Sequence, residues 1–364
     1  MLSSEIDTGV VSLRDDFSAL DMNLWNPIVP RILNVFGPRK LGFNPGMLEA
    51  ILCEKPDIVH CHAIWAYQAR ACWLWHNRNR APYMVSPHGM LDPVDLAKSP
   101  LKKRFVSYLF QDAHLDNAAC MHALCAAEAH AIRKYGLKGN ICIIPNGVNL
   151  PEEVNRKRFP ERKSILYLGR ITPKKGLVNL IRGWAVLKSD NLDLIKEWRL
   201  EIAGWDQYGH EAQLKELVKT LGCEDSVHFL GAVHGQRKED VYKASTAFVL
   251  PSTSEGLPLV VLEAWAYSLP VLMTPQCNIP EGFSKDAAIR IESDQKQIAC
   301  GITKLIEMST AERVDMGARG RRMVENGYSW PMVAKNMKSV YDWMLGGGEK
   351  PACILAEAGS ICSY

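Results

Sequence analysis

The sequence predicts an α/β protein with two doubly wound, Rossmann-like domains. The chain has 364 residues, 47% of them hydrophobic and 23% charged, which suffices for two domains with separate cores. Short aliphatic or β-branched runs alternate with amphipathic stretches, a rhythm typical of right-handed βαβ units and parallel sheets. A segment rich in Pro, Asn and Gly, Pro145–Glu153, lies near the middle and predicts the domain boundary.

The alternation is clearest in the second half. Strands are predicted at Ser164–Leu168, Arg199–Ala203, Val227–Leu230, Ala247–Leu250 and Pro270–Met273. Helices are predicted between them, at Leu177–Lys188, His210–Leu221, Gln236–Ser245 and Pro258–Tyr267.

The first half repeats the rhythm after residue 56. Strands are predicted at Asp57–His62, Tyr83–Ser86, Cys120–Leu124 and Ile141–Ile144, and helices at Tyr67–Asn79, Leu101–Asn117 and Ala126–Tyr135. We expect a first domain at 1–148, a second at 149–330, a helix at 331–346 that packs back on the first domain, and a tail at 347–364. The charged segment Arg156–Lys163 follows the boundary. Two such domains would face each other across a cleft at the carboxyl ends of their strands.

Composition and charge exclude several classes of protein. The formal net charge of +3 is too even for a protein that acts mainly on nucleic acid. No apolar run reaches the roughly 18 to 20 residues of a membrane span, and the first residues lack a signal peptide's pattern, so we expect a cytoplasmic protein. The eleven cysteines are scattered and never spaced Cys-x-x-Cys, which favours buried thiols over disulfides or zinc ligands.

A cluster of cations follows the first strand of the second half. In Leu166–Gly176 the predicted strand ends near Gly169, and the following turn supplies Arg170, Lys174 and Lys175. Cations at the carboxyl edge of a sheet suit a phosphate or diphosphate. The alternative is a solvated basic turn.

The segment Ser252–Val271 combines a helix start with two carboxylates. Pro258 suits the first turn of a helix, so amides near Gly256 and Leu257 could cradle an anion. Were both helical, Glu255 and Glu263 would be about 12 Å apart along the axis, beyond the roughly 5 to 9.5 Å of a glycosidase acid and base. Each carboxylate is better suited to a different set of ligand hydroxyls. For Glu263 the alternative is a charge near the helix start that favours the helix dipole.

Histidines mark two strand ends in the first half. His88, in Ser86–Pro93, follows a strand and is placed to face the cleft as a hydrogen-bond donor or proton carrier, or simply caps the strand. His60 and His62 lie on one side of their strand, with Cys61 opposite. We expect a structural role for His60 and leave His62 open between function and structure, because no third metal ligand is evident.

The segment Lys98–Phe110 mixes basic residues with aromatic and aliphatic ones. It suits contact with an anionic membrane surface or an acidic substrate, and equally an amphipathic helix with a solvated basic face.

Taken together, these motifs resemble the family-4 retaining glycosyltransferases of the GT-B fold. The resemblance rests on SPHGMLDP, IPNGVN, LGRITPKKG, FLGAV, SEGLPLVVLEA with its Glu-x7-Glu spacing, and CNIPE, and it extends from about residue 25 to residue 345. Ser268 stands where the family usually has glycine. The family also begins with a strand and a glycine-rich turn that this chain lacks, so we expect the first domain to be short of its opening βα unit.

The resemblance implies a role for each candidate residue. Arg170 and Lys175 would neutralise the diphosphate of a nucleotide-sugar donor, Glu263 would hold the ribose and Glu255 the donor sugar. Amides near Gly256 and Leu257 would contact the phosphates, and His88 would reach the sugar from the opposite domain. The reaction would retain the anomeric configuration and require no metal ion or other cofactor.

The resemblance therefore implies a glycosyltransferase that acts on a glycan or glycolipid acceptor, in polysaccharide or glycolipid assembly, with a peripheral contact to the membrane's inner face. Two alternatives stay open: a nucleotide-sugar-binding protein that is catalytically incomplete, and a GT-B-type sugar-nucleotide epimerase.

Overall fold

The computed structural model describes residues 6–152 and 163–355. They form two compact units, one of residues 6–145 and 333–355, the other of residues 146–152 and 163–332. Glu153, most of the charged segment predicted at Arg156–Lys163 and residues 356–364 of the predicted tail lie outside the described residues.

The first unit contains a five-stranded sheet and a separate pair of strands. Its strands are β1 (Val11–Leu13), β2 (Arg31–Leu33), β3 (Val59–His62), β4 (Tyr83–Ser86), β5 (Cys120–Ala123) and β6 (Ile141–Ile143). Strands β3 to β6 are parallel neighbours in that order, and Ile354–Leu355 pairs antiparallel with β6 at the edge. Strands β1 and β2 pair parallel with each other only. The tail predicted from residue 347 thus contributes a short strand at Ile354–Leu355.

Helices of the first unit fill the intervals between these strands. They are α1 (Ser18–Asp21), α2 (Met47–Cys53), α3 (Tyr67–Asn79), α4 (Pro93–Leu96), α5 (Pro100–Val106), α6 (Asp112–Asp116) and α7 (Ala126–Tyr135), with 3-10 turns at Met22–Trp25 and Arg39–Leu41. A π-helical stretch, Ser107–Gln111, joins α5 to α6. The single helix predicted at Leu101–Asn117 is therefore three helical pieces in succession.

The second unit is a parallel six-stranded sheet with intervening helices. Its strands are β7 (Lys163–Leu168), β8 (Trp198–Ala203), β9 (Val227–Gly231), β10 (Ala247–Leu250), β11 (Val271–Met273) and β12 (Ala288–Arg290), in the spatial order β12-β11-β10-β7-β8-β9. Its helices are α8 (Leu177–Asp190), α9 (Leu192–Ile195), α10 (His210–Thr220), α11 (Gly235–Ala244), α12 (Leu259–Ala266), α13 (Glu281–Ser284), α14 (Gln295–Glu307) and α15 (Thr310–Gly327), with 3-10 turns at Pro173–Lys175 and Pro275–Cys277. Strands β10 and β11 are continuously apolar and fully buried, as expected of a sheet covered on both faces, whereas β8 has Arg199 and Glu201 at half-buried positions.

The C-terminal helix, Trp330–Met344, packs on the sheet of the first unit. Its buried residues Met337 and Val340 share a core cluster with Met84 of β4 and Cys142 of β6. This arrangement joins the end of the chain to the first unit.

The cysteines of the described part of the chain form no disulfide with one another, and most of them are buried.

Within residues 6–152 and 163–355, no helix combines the length and apolarity that crossing a membrane needs.

Candidate active site

The carboxyl ends of β7 and β10 form one edge of the second unit's sheet, where two loops meet. The strands are neighbours, so the segments after Leu168 and after Leu250 leave the sheet side by side. The amide of Thr253 donates to the carbonyl of Lys174 over 2.9 Å, and the Ser252 hydroxyl donates to the same carbonyl over 3.2 Å. These bonds tie the basic turn to the Glu255 loop.

A buried ion pair lies between these loops. The Nζ of Lys175 is 2.5 Å from Oε1 of Glu255, and the two side chains are only 9% and 10% exposed. The chain can turn sharply here because Gly176 has φ +75°, and a Cβ at that position would come within 2.1 Å of the Pro251 carbonyl oxygen. The structure thus brings together two of the residues that the sequence singled out, 80 positions apart.

Arg170 lies at the exposed start of the turn that contains Lys175. The Tyr167 hydroxyl donates to the Arg170 carbonyl over 2.8 Å and holds the start of the turn. Burial, reinforced by the Glu255 carboxylate, raises the pKa of Tyr167, so this hydroxyl stays protonated as a donor. The Arg170 guanidinium makes no hydrogen bond or ion pair within the described residues and is available to an anion. For Lys175, which is buried and paired, the alternative of a solvated basic turn does not apply.

The backbone that follows Glu255 is held by a side chain that sequence reasoning did not single out. Asn278 Nδ2 donates to the carbonyl of Glu255 over 2.6 Å and to that of Gly256 over 3.1 Å. These bonds hold the backbone that leads from Glu255 into α12. The signal for Asn278 was its position inside the CNIPE motif. Pro258, predicted in the first helical turn, instead immediately precedes α12, which starts at Leu259.

Glu263 sits within α12 and has its own partners. Its Oε1 is 2.6 Å from Nζ of Lys238, and its Oε2 accepts a 2.8 Å hydrogen bond from the Tyr242 hydroxyl. Glu263 is early in α12 but lies beyond its first turn, which contains no acidic residue. Sequence reasoning missed Lys238 and Tyr242, which lie on α11 and contact Glu263 only through tertiary packing.

Helix α12 is anchored by Trp265. This side chain is fully buried, and its Nε1–H donates to the Ala287 carbonyl over 3.0 Å. Gly320 of α15 allows the close approach, since a Cβ there would lie 2.1 Å from the indole. The anchoring fixes the axial position of Glu263.

In the first unit, His62 and His88 form a pair at the ends of β3 and β4. Nδ1 of His62 lies 2.9 Å from Nε2 of His88, and the rings stack 5.2 Å apart with an interplanar angle of 10°. One of these nitrogens must donate and the other accept, so the bond couples the protonation states of the two rings. Both side chains are exposed. His88 therefore bonds another histidine at the strand ends.

The turn that presents His88 is braced by a buried carboxylate. His88 has φ +52°, an uncommon conformation for a residue with a side chain. Oε1 of Glu128 accepts from the Gly89 amide over 2.6 Å, and Oε2 accepts from the Leu124 amide over 2.8 Å. Sequence reasoning missed Glu128, whose position in the first turn of α7 carries no motif signal.

Behind this pair, a chain of polar groups runs through the sheet. The Ser86 hydroxyl lies 2.6 Å from Nε2 of His60 and 2.7 Å from Nδ1 of His122. His60 also bonds the Tyr341 hydroxyl at 2.6 Å, and His122 bonds the Ile144 carbonyl at 2.7 Å. His60 thus uses both ring nitrogens in contacts within the first unit, the arrangement that the structural role predicted for it requires.

Desolvation dominates the electrostatics of these buried imidazoles. It lowers the pKa of His122 to about 4 and that of His60 well below its usual value, and the neighbouring histidines lower both further. Desolvation also lowers the pKa of His88, against a weaker opposing effect of Glu128. At neutral pH the chain from Tyr341 to Ile144 is therefore uncharged.

Within the described residues, no group of three or more His, Cys, Asp or Glu is arranged to hold a metal ion. A surface pocket of about 290 Å³ lies elsewhere, lined by residues such as Asp116, Met121 and Gly139. These residues lie near the amino ends of β5 and β6, opposite to the edge where open α/β sheets bind ligands. We therefore assign the candidate site to the carboxyl edges.

Two family models match the chain. The model described as "Glycosyl transferases group 1" matches residues 151–323, and the "Glycosyl transferase 4-like domain" matches residues 14–147. Together they account for most of the sequence.

Relatives and solved structures agree with these models. An uncharacterized glycosyltransferase of Haemophilus influenzae is 41% identical over 31% of this chain and 30% of its own length. A D-inositol 3-phosphate glycosyltransferase of Kineococcus radiotolerans is 26% identical over 82% of this chain and 75% of its own. HepE of Anabaena, solved in complex with UDP, superposes with a TM-score of 0.72 at 16% identity, covering 93% of this chain and 92% of that one. The likeness to HepE shows a GT-B fold.

Proposed function

Because this chain belongs to the family-4 type of GT-B glycosyltransferases, we propose that it moves a sugar from a nucleoside diphosphate to a glycan or glycolipid acceptor, retaining the anomeric configuration. The observation that carries the proposal is the buried Lys175–Glu255 pair, with the exposed Arg170 at the start of the same turn. HepE was solved with UDP bound, which makes UDP the first nucleotide to test.

The pair suits a diphosphate sugar because its two charges can separate onto different parts of one ligand. A diphosphate that approaches Lys175 and Arg170 competes with Glu255 for the lysine charge. Glu255 is then free to accept hydrogen bonds from sugar hydroxyls. The positive end of the α12 dipole, with amides near Gly256 and Leu257, adds to the attraction for the phosphates.

The Glu263 carboxylate is the group that binds the ribose in this proposal. Its carboxylate is held by Lys238 and Tyr242, which leaves lone pairs on both oxygens for vicinal hydroxyls. His88 supplies a hydrogen bond to the donor sugar, and His62 orients the His88 ring. In this assignment His62 is a positioning residue.

The proposed reaction breaks the bond between the anomeric carbon and the diphosphate oxygen and forms one from that carbon to an acceptor hydroxyl. Positive charge develops on the sugar and negative charge on the departing diphosphate. Lys175, Arg170 and the helix dipole stabilise the diphosphate electrostatically, so the proposal requires no metal ion. An oxygen of the departing phosphate accepts the acceptor's proton.

We place the protein in polysaccharide or glycolipid assembly in the cytoplasm, with a peripheral contact to the membrane. The apolar and basic residues of Lys98–Phe110 support this contact, because a glycolipid acceptor is held at a membrane surface.

The test combines calorimetric titration with UDP and GDP, an assay for donor hydrolysis and an assay for transfer to acceptor mixtures. We expect one nucleotide to bind and its sugar conjugate to be consumed. The variant Glu255→Gln should bind the nucleotide but lose turnover, and His88→Asn should do the same, since asparagine tolerates a positive φ. Lys188→Met is the matched control, because Lys188 also pairs at 2.5 Å, but with the exposed Asp225.

Each of the other possible results would indicate a different function or reject the proposal. Nucleotide binding without turnover in the unmodified chain would indicate a catalytically incomplete binding protein. Conversion of the donor sugar with no acceptor present would indicate an epimerase. Absence of binding to every nucleotide diphosphate would reject the proposal.

A further inference from the structure

The helical segment Pro100–Gln111 exposes an apolar stripe. Leu101 is 81% exposed, Phe105 64%, Tyr108 89% and Leu109 52%. Leu101 and Phe105 are spaced i, i+4 on one face of α5, and Tyr108 and Leu109 follow in the π-helical stretch. A face of four large exposed apolar side chains marks an interaction site more often than a bare surface.

The opposite face of the same segment is already packed. Val106 and Phe110 are half-buried and Gln111 is fully buried, with its Oε1 accepting from the Trp65 amide over 2.9 Å. The exposed stripe is therefore not the face by which the segment joins the core of the first unit. It is a second apolar surface on a helix that is already anchored.

Cations border the stripe on both sides. At about 100° per residue, α5 places Arg104 at one edge of the exposed arc and Lys102 at the other, with Leu101 and Phe105 between them. Lys102 and Arg104 are exposed and make no ion pair within the described residues. The sequence 99–111 contains no Asp or Glu.

The remaining cation of the segment, Lys103, and the preceding Lys98 are already engaged. Lys98 pairs with the Asp95 carboxylate, and Lys103 donates to the Asp95 carbonyl and lies 5.5 Å from the Trp65 ring centre. The free positive charge is thus concentrated at the borders of the apolar stripe.

We propose that this stripe docks on the surface of an anionic lipid bilayer. The apolar side chains enter the boundary between headgroups and acyl chains, while Lys102 and Arg104 extend to the lipid phosphates. A two-fold contact with a second copy of the chain is disfavoured, since an isologous pairing of the stripes would bring the cations of both copies together with no carboxylate between them. Only the purpose of this docking rests on the proposed function: docking would bring the enzyme to a lipid-linked acceptor.

The test is cosedimentation of the whole chain with vesicles of phosphatidylcholine, with or without about 30% phosphatidylglycerol. The unmodified chain should bind the anionic vesicles more tightly than the neutral ones. The double variant L101S/F105S should weaken binding to anionic vesicles at least about tenfold. The variant K102Q/R104Q should weaken it roughly fivefold per charge and leave binding to neutral vesicles unchanged.

Two matched controls fix the location of the surface. L24S/V29S removes two apolar side chains that are 81% and 83% exposed elsewhere in the first unit, and K196Q/K219Q removes two exposed cations of the second unit. Both controls should bind like the unmodified chain. The proposal is overturned if the unmodified chain stays in the supernatant, or if L101S/F105S binds as well as L24S/V29S.

A dimer seen by sedimentation velocity that L101S/F105S dissociates, without any vesicle binding, would assign the stripe to a second copy and also reject the proposal. Titration of the same variants with UDP separates this result from the proposed function. Retained nucleotide binding with no vesicle binding would overturn the docking surface alone, and vesicle binding with no sugar transfer would overturn the enzyme function alone.

Discussion

The two units organise the carboxyl ends of their strands by different means. In the second unit, opposite charges compensate each other: Lys175 with Glu255, and Lys238 with Glu263. In the first unit, neutral imidazoles and hydroxyls share protons along the chain through His60, Ser86 and His122. The ion pairs at the second unit's edge suit a charged ligand that takes the place of one partner. The uncharged groups at the first unit's edge instead suit a fixed hydrogen-bonding surface whose protonation depends on pH.

The largest expected effect is at the second unit's edge. Lys175→Met leaves the Glu255 carboxylate buried and unpaired, which should cost about 3 to 5 kcal/mol in the free energy of unfolding and abolish detectable sugar transfer. The double variant K175M/E255Q should recover most of the stability but none of the activity. Urea unfolding and transfer assays of both variants check this; equal stability of the single and double variants would contradict a coupled pair.

The next largest effect on the free energy of unfolding is expected at the Ser86 hydroxyl, which bridges two histidines of the first unit. Ser86→Ala removes the group that bonds both His60 and His122, leaving two buried imidazole nitrogens unsatisfied. The expected loss in the free energy of unfolding is about 2 to 5 kcal/mol. Ser339→Ala, which removes an exposed hydroxyl from the C-terminal helix, is the control and should change stability by less than about 0.5 kcal/mol. Similar losses for both variants would mean that the polar chain contributes no special stability.

The histidines at the first unit's edge should also make stability depend on pH. Folding lowers the pKa of His122 from 6.5 to about 4, so protons bind the unfolded chain more tightly. The contribution of His122 to the free energy of unfolding is therefore complete above pH 6.5 and is lost as the pH falls toward 4. The loss is about 1.4 kcal/mol per pH unit and about 3 kcal/mol in total. His60 should add to the slope in the same direction.

Unfolding measured between pH 7 and pH 4 tests this dependence. His122→Gln should reduce the slope, whereas His130→Gln, which changes an exposed histidine of the same unit, should leave it unchanged. An unaltered slope in His122→Gln would refute the assignment.

A smaller effect is expected at the second charged pair, which is more exposed. Lys238 and Glu263 have side chains 32% and 23% exposed, so Glu263→Gln should change stability by at most about 1 kcal/mol. Nucleotide affinity should fall about tenfold, because the ribose would lose a charged acceptor. Glu239→Gln on α11, which breaks the more exposed pair with Lys243, is the control for calorimetric titration and should bind nucleotide normally. Unchanged affinity in Glu263→Gln would place the ribose elsewhere.

The smallest expected effect concerns backbone conformation alone. Ser268 has φ +55°, a conformation that disfavours residues with a side chain. Ser268→Gly should therefore raise the free energy of unfolding by roughly 1 kcal/mol without changing nucleotide affinity, as measured by thermal unfolding and titration. A destabilised variant would show that the conformation carries no cost here. The positive φ also explains why the related family usually has glycine at this position.

Most of the regular structure could be predicted from local patterns. Tyr67–Asn79, Ala126–Tyr135 and Ala247–Leu250 have the bounds that the sequence patterns predict. The sequence patterns did not predict β2 or the edge strand Ile354–Leu355, which are two or three residues long. Helices α14 and α15 were not predicted either, although Asp294 caps α14 and Ser309 forms a capping box with Glu312 at the start of α15. The two short strands depend on partners that are distant in the sequence, β1 and β6.

The candidate residues show the same division. Lys175 and Glu255 could be singled out because each belongs to a motif at a strand end. Lys238, Tyr242, Glu128 and Asn278 could not be assigned roles, because their contacts with the site exist only after helices and loops from separate βα units pack together.

The sequence by itself determined the α/β class, the succession of strands and helices, and the segments that carry chemistry, since these follow from periodicity and from residue types at strand ends. Only the tertiary structure decided which charges pair, that Glu263 is shared with Lys238 and Tyr242, and that the apolar stripe from Leu101 to Leu109 faces outward. The physical reason is that hydrogen bonding, ion pairing and burial depend on distances between atoms. Those distances are set when remote segments pack, and local sequence patterns do not contain them.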